Sequence, residues 1–326
     1  MIDNVLFFGA GASYGSDNFH LVKQGLLPPL GKNLFATLQA SPYTNAWKRI
    51  PEEIKPLFTE NFEAGMAAIM DNDRKYIMTH ELLIELALYF AQFRPLKYNL
   101  YYKLAEKISS NKWRGAIITL NYERLLEESL LIHKIFPLVA GADITEGGEI
   151  KYAPHYLELC YPHGACHFCI GFPREWEKEP YSPDSEILGG AIYQLVHHIN
   201  VIAAYTKKPL PHVRRVPLIC AYEPNKRPFS KNNLTLFQQA RFEELVINAK
   251  QIIMVGVNCN LADTHIWTLL ARTQAKIIYI DPNLSQINKF ISWAENNNKQ
   301  RNLDYQTINS DFKHSFNKIC NLVDLK

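Results

Sequence analysis

No apolar run in the sequence approaches the length of a membrane span. Met1-Ile2-Asp3-Asn4 lacks the basic stretch that precedes a signal-peptide core. A cytoplasmic protein with no membrane partner is the expectation. There is no charge excess either: 35 Lys and Arg against 32 Asp and Glu leave a formal +3 over 326 residues. That balance gives no electrostatic case for binding nucleic acid directly. Lys207-Lys208 and Arg214-Arg215, around Pro209 and Pro211, read as a solvated loop. Six cysteines, unevenly placed, do not form a disulfide framework in a chain of this length. Cys166 and Cys169 make the one Cys-x-x-Cys pair, whereas structural zinc asks for four ligands, usually from two such pairs. Cys160, His163 and His167 lie nearby, but no second pair follows at the usual spacing. Buried thiols are therefore expected, and zinc is not.

With 47% hydrophobic and 21% charged residues the chain can bury a sizeable core. Its length suits one large α/β domain with insertions, or two domains. The organising stretch is Asn4-Val5-Leu6-Phe7-Phe8-Gly9-Ala10-Gly11-Ala12-Ser13. Val5 to Phe8 is a continuous apolar run, as a parallel strand covered on both faces requires. Gly9 and Gly11 lack a Cβ, so a phosphate can approach the backbone where a helix begins. The motif departs from Gly-x-Gly-x-x-Gly because Tyr14 takes the third glycine position. The acidic residue expected about 20 residues further on is also not convincingly present. An ordinary dehydrogenase is disfavoured.

Gly25 to Gly31, with Pro28-Pro29, reads as a loop. Helices are expected from Lys32, within Pro51 to Met70, from His80 to Phe93, and from Tyr98 to Ile108. Together they form a helical insertion over about residues 20 to 112. Ile117 to Leu120 is a buried strand with Asn121 at its end, and Arg124 opens the next helix. Strands follow at Ile150–Tyr152 and Leu157–Tyr161, leading to Pro162-His163-Gly164. About residues 165 to 215 read as a second, irregular insertion, in which His197-His198 is assigned to packing. Val216–Tyr222 is a strand and Asn233–Lys250 a helix. Ile252–Gly256 and Lys276–Ile280 are strands, each followed by a polar loop. In open α/β sheets ligands bind beyond the carboxyl ends of the strands, so Asn121 and the glycine turn could line one crevice.

Four separated signals occur in one order: Gly9 to Ser13, Thr119-Leu120-Asn121-Tyr122-Glu123, His163-Gly164, and Gly256 to His265 followed by Ile280-Asp281-Pro282-Asn283. Together they resemble the sirtuin family, most closely its divergent bacterial branch from antiphage defence systems. That branch often has Asn-Tyr-Asp where this chain has Asn-Tyr-Glu. Asp263-Thr264-His265-Ile266 matches the end of its late motif, with Asn258 where serine is commoner. The resemblance implies a Rossmann-like parallel sheet carrying insertions over residues 1–326, with NAD as substrate and cleavage of the nicotinamide–ribose bond. It further implies that Asn121 holds the ribose or attacking water and that His163 is a general base. Gly9, Ala10, Gly11 and Ala12 would hold pyrophosphate. Ser13 and Asn258 would bond phosphate or ribose, with Gly256 and Asp263 in the same late turn, and Asp281 would lie near the adenosine ribose. It implies a homo-oligomer and a separate HerA-type ATPase partner. Protein deacylation, or a nucleotide-binding scaffold with little activity, remain as alternatives. Each residue also has a plainer reading: Asn121 or Asp263 as a helix cap, and Asp281 as a turn residue.

Overall fold

A computed structural model describes residues 2–41, 44–70, 75–139, 155–173, 192–195, 213–220, 233–298 and 303–326. The first strand, β1 (Ile2–Phe8), runs straight into the short helix α1 (Ala10–Tyr14). Between β1 and the next strand lie α2 (Gly31–Ala40), α3 (Asn45–Lys48), α4 (Lys55–Glu60), α5 (Phe62–Met70), α6 (Lys75–Phe90) and α7 (Leu100–Asn111). Then come β2 (Ala116–Thr119), α8 (Leu125–Ile132), β3 (Ile135–Leu138), β4 (His155–Cys160), β5 (Gly164–Pro173), β6 (Ile192–Leu195) and β7 (Val213–Ile219). The last third alternates: α9 (Asn233–Asn248), β8 (Ala249–Val255), α10 (Thr264–Leu270), β9 (Lys276–Asp281), α11 (Leu284–Asn298), β10 (Tyr305–Asn309) and α12 (Phe312–Leu322). Among the described residues no helix is long and apolar enough to cross a membrane.

Seven of these strands make one sheet in the order β10-β9-β8-β1-β2-β4-β3. Every neighbouring pair in it is parallel. Alternate residues of the central strands enter opposite cores. Leu6, Phe8, Ile117 and Ile253 pack with α7, α8 and α12. Val5, Phe7, Ile118 and Ile252 pack with α9, α10 and α11. Burial on both faces is why these strands read as unbroken apolar runs. Each fully buried Val, Leu or Phe contributes roughly 1.5–3 kcal/mol.

A second, antiparallel sheet has the order β6-β5-β7. Here the structure differs from the sequence reading, because β5 is a ten-residue strand where an irregular stretch was expected, and Arg214 and Arg215 lie on β7. Two neighbouring helices also differ from the expected bounds. α6 ends at Phe90, before Ala91-Gln92 turn the chain, and α8 begins at Leu125 with Arg124 as its N-cap. The expected strand at Ile150–Tyr152, Lys207-Lys208 and His197-His198 lie outside the described residues.

Strand order reverses at β1, which pairs with β2 on one side and β8 on the other. Phe8 is in register with both Thr119 and Val255. The turns that follow β1 and β8 interlock. Gly9 N–H donates to Val255 O at 3.0 Å, and Gly11 N–H donates to Gly256 O at 2.9 Å. Gly256 has φ +61°, and a Cβ there would sit 2.3 Å from Ala12 N. A Cβ at Gly9 would sit 2.5 Å from Gly256 O. Gly256→Ala therefore meets both left-handed strain and a backbone collision. The expected loss of unfolding free energy is about 3 kcal/mol or more, read from urea midpoints. An unchanged midpoint would contradict this packing.

Candidate active site at the carboxyl edge of the sheet

Leu120 N–H still donates to Phe8 O, at 3.0 Å, before the chain leaves the sheet at Asn121. The Asn121 backbone N–H turns back to Thr119 Oγ1, 3.2 Å away. Its side chain points toward α1, with Nδ2 2.7 Å from Ser13 Oγ and 3.5 Å from the Tyr101 hydroxyl. Ser13 Oγ lies 3.0 Å from Tyr101 and donates to the Glu123 carboxylate, whose other oxygen accepts the Leu125 N–H. All four side chains are buried.

A hydroxyl has one proton and two acceptor sites. Ser13 directs its proton to Glu123, so it accepts from both Tyr101 O–H and Asn121 Nδ2–H. Tyr101 keeps its proton, because burial and the nearby Glu123 charge hold its pKa well above the ordinary phenol value. The amide nitrogen is thereby turned inward. The other amide atom, Oδ1, is buried and has no partner among the described residues. A buried oxygen left open in this way can be met by a ligand or by water. Asn121 lines a cavity of about 80 Å³ together with Pro28, Pro29, Phe90 and Tyr122.

Asn121 does not cap α8; the Glu123 carboxylate meets that helix's first peptide instead. Tyr101 and Glu123 were missed in the sequence. Tyr101 reads as one more core position on an amphipathic helix, and Glu123 showed only as a variant of the Asn-Tyr-Asp pattern.

His163 leaves the strand next to β2. Ile118 pairs with Cys160, and Asn121 and His163 each lie three residues beyond. The approach to His163 is held by α9, where Gln238 Oε1 accepts the Tyr161 N–H at 2.7 Å. Gly164 turns the chain into β5 with φ +71°, and a Cβ there would lie 1.9 Å from Leu218 O. His163 O accepts the Cys220 N–H at 2.9 Å, and Cys220 O accepts the Tyr122 hydroxyl at 3.5 Å. The residue after Asn121 is thus tied to the His163 peptide through Cys220. Burial pushes the His163 imidazole down to about 3, so it is neutral near pH 7. Its Nε2 lies 2.8 Å from Nε2 of His265, a residue quoted in the late motif but given no role there.

The remaining candidates are spread along the same edge. Gly9, Ala12 and Ser13 are buried, Ala10 is exposed and Gly11 is half-buried. The space beside Gly9 and Gly11 is taken by Gly256. Asn258 is exposed. Asp263 is the N-cap residue of α10 but makes no side-chain cap bond there. Asp281, at the end of β9, accepts the Asn283 N–H at 2.8 Å and so closes its own turn, and burial raises its pKa. Behind the site, Arg124 Nε and His167 Nε2 lie 3.2 and 2.9 Å from Glu127 Oε2, joining β5 to α8. Among the described residues no three metal-binding side chains cluster.

No protein-family model matches the sequence, and no curated protein matches it. Among solved structures, a Sir2 homolog–NAD complex aligns with 98% of this chain and 89% of its own, at 13% identity and a TM-score of 0.45. A Sir2 homologue mutant–ADP ribose complex aligns with 98% and 91%, at 12% identity and a TM-score of 0.45. The fold assignment here rests on the strand order and not on these likenesses.

Burial pushes the Glu123 carboxyl up from 4.5 to about 7, opposed by its bonds from Ser13 and Leu125. Between those values the folded chain holds a proton that the unfolded chain releases. The stability this group contributes is full below pH 4.5 and is lost as pH rises through about 7. Glu123→Gln removes the titration. Its unfolding free energy relative to wild type should rise by up to roughly 3 kcal/mol between the two limits, measured by urea unfolding across that range. A gap independent of pH would place the carboxylate in solvent.

Proposed function

We propose that the chain hydrolyses NAD at the nicotinamide–ribose bond, releasing nicotinamide and ADP-ribose. The observation that carries this reading is the unpartnered Oδ1 of Asn121 at the carboxyl edge of a parallel sheet, beside its topological switch point. An acceptor held there suits a ligand that brings O–H groups, such as a ribose hydroxyl or a nucleophilic water. The reaction makes few covalent demands on the protein. As the C1′–nitrogen bond breaks, its electron pair goes to the pyridinium nitrogen, and the ribose becomes oxocarbenium-like. Positioning and charge stabilisation then carry most of the catalysis.

In this reading Asn121 accepts from the attacking water or a ribose hydroxyl, and Ser13 with Tyr101 keeps the amide from flipping. His163, neutral at pH 7, takes the proton. The turns at Gly9–Ser13 and Gly256–Asp263, with Asp281, face the phosphates and adenosine. A whole dinucleotide exceeds the cavity of about 80 Å³ beside Asn121, so in this reading its lining, which includes Pro28, Pro29 and Phe90, opens on binding. The Asn-Tyr-Glu and Asp-Thr-His-Ile motifs support extending the proposal to an NAD-depleting effector of antiphage defence, acting as a homo-oligomer with a HerA-type ATPase.

Purified protein incubated with NAD should release nicotinamide and ADP-ribose without any peptide substrate. Asn121→Ala and His163→Ala should each reduce turnover by roughly a hundredfold or more, with circular dichroism unchanged. Asn121→Asp, which retains an acceptor oxygen, should keep more activity than Asn121→Ala. Turnover only with an acyl-lysine peptide would replace hydrolysis by deacylation.

A further inference from the structure

His163 has a titratable neighbour from the other half of the sheet. In the order β8-β1-β2-β4, two strands separate the element before His163 from the element before His265. At about 4.8 Å per strand that is roughly 14 Å of sheet edge. The two imidazoles close the distance, with Nε2 to Nε2 at 2.8 Å and ring centroids 5.0 Å apart. Two ring nitrogens so close share one proton, so one ring donates from Nε2 and the other carries its proton on Nδ1. The surroundings of the rings differ. His163 is 5% exposed, while His265, on the first turn of α10, is half-buried, with its Nδ1 itself buried.

We propose that His265 is a positioning residue that acts through His163, orienting the buried imidazole and taking up its proton; this rests on the hydrolase reading above. As water oxygen bonds to C1′ and nicotinamide departs with the bonding pair, the water proton passes to His163 Nδ1. The Nε2 proton of His163 moves to His265 Nε2, so the positive charge comes to rest on the half-buried ring and not on the buried one. NAD and water thereby give nicotinamide, ADP-ribose and one proton, held on His265. Burial of His163 disfavours an imidazolium there, and the relay avoids storing one. Among the described residues Tyr122, whose phenol burial keeps protonated, Cys220 and Asp263 also lie beside this edge.

The test compares the full-length wild type with His265→Ala and His265→Gln. The Gln variant keeps an amide donor at the ring position but cannot relay a proton. Both should lose kcat by roughly tenfold to a hundredfold, with KM for NAD within about twofold of wild type. Added imidazole should restore part of kcat in His265→Ala. Unchanged kcat in either folded variant, or a loss that sits in KM with no imidazole rescue, would overturn the relay. Nitrogen-15 spectra of the histidine side chains provide a readout independent of turnover. They should show one Nε2–H and one Nδ1–H tautomer for the pair, with the His163 signals shifted in both variants. Two rings of the same tautomer would overturn the pairing. If the wild type does not hydrolyse NAD while the complementary tautomers are present, the hydrolase reading fails and the hydrogen-bonded pair stands.

Discussion

The turns after β1 and β8 occupy almost the same space, and they can because neither carries a Cβ at the point of contact. Gly9, Gly11 and Gly256 bring two backbones to hydrogen-bonding distance where strand order reverses between β1 and β8. That contact sets where α1 starts, and so where Ser13 sits. Ser13 in turn is the hub on which Tyr101, Glu123 and Asn121 converge. Displacing the glycine contact would move the hydroxyl and leave three buried polar groups to find new partners, at about 1–3 kcal/mol each.

The arrangement draws on every layer of the chain. Tyr101 comes from the helices that follow β1, Asn121 and Glu123 from the end of β2, and Ser13 from α1. His163 depends on both sheets, since Gly164 is pressed against Leu218 on β7. The buried contact of Glu127 with Arg124 and His167 holds the small sheet to α8, the helix that begins just after Glu123. Replacing one member of such a buried ionic group leaves the others uncompensated, so its effect would reach the site without touching it.

Strands β1, β2, β8 and β9 were legible in the sequence because burial on both faces makes their apolar runs continuous. Strand β5 was not. Its Gly-Ala-Cys-His-Phe-Cys start mixes small and polar residues, and the reason His167 can be fully buried is a carboxylate on another element. The end-of-strand positions of Asn121 and His163 followed from pattern and order. Which amide atom of Asn121 stays open did not, because that depends on one proton of a serine 108 residues away. The partnership of His265 was equally hidden, since it exists only through a strand order that no local motif encodes.

The bare oxygen of Asn121 has an energetic consequence. Its removal from water was a cost of folding, met by the rest of the core before any ligand arrives. An incoming hydroxyl or N–H thus gains a hydrogen bond without stripping solvent from both ends. Molecules of similar shape that lack a donor at this point forgo that gain. In the proposed hydrolase that lone pair would read chemical polarity ahead of size.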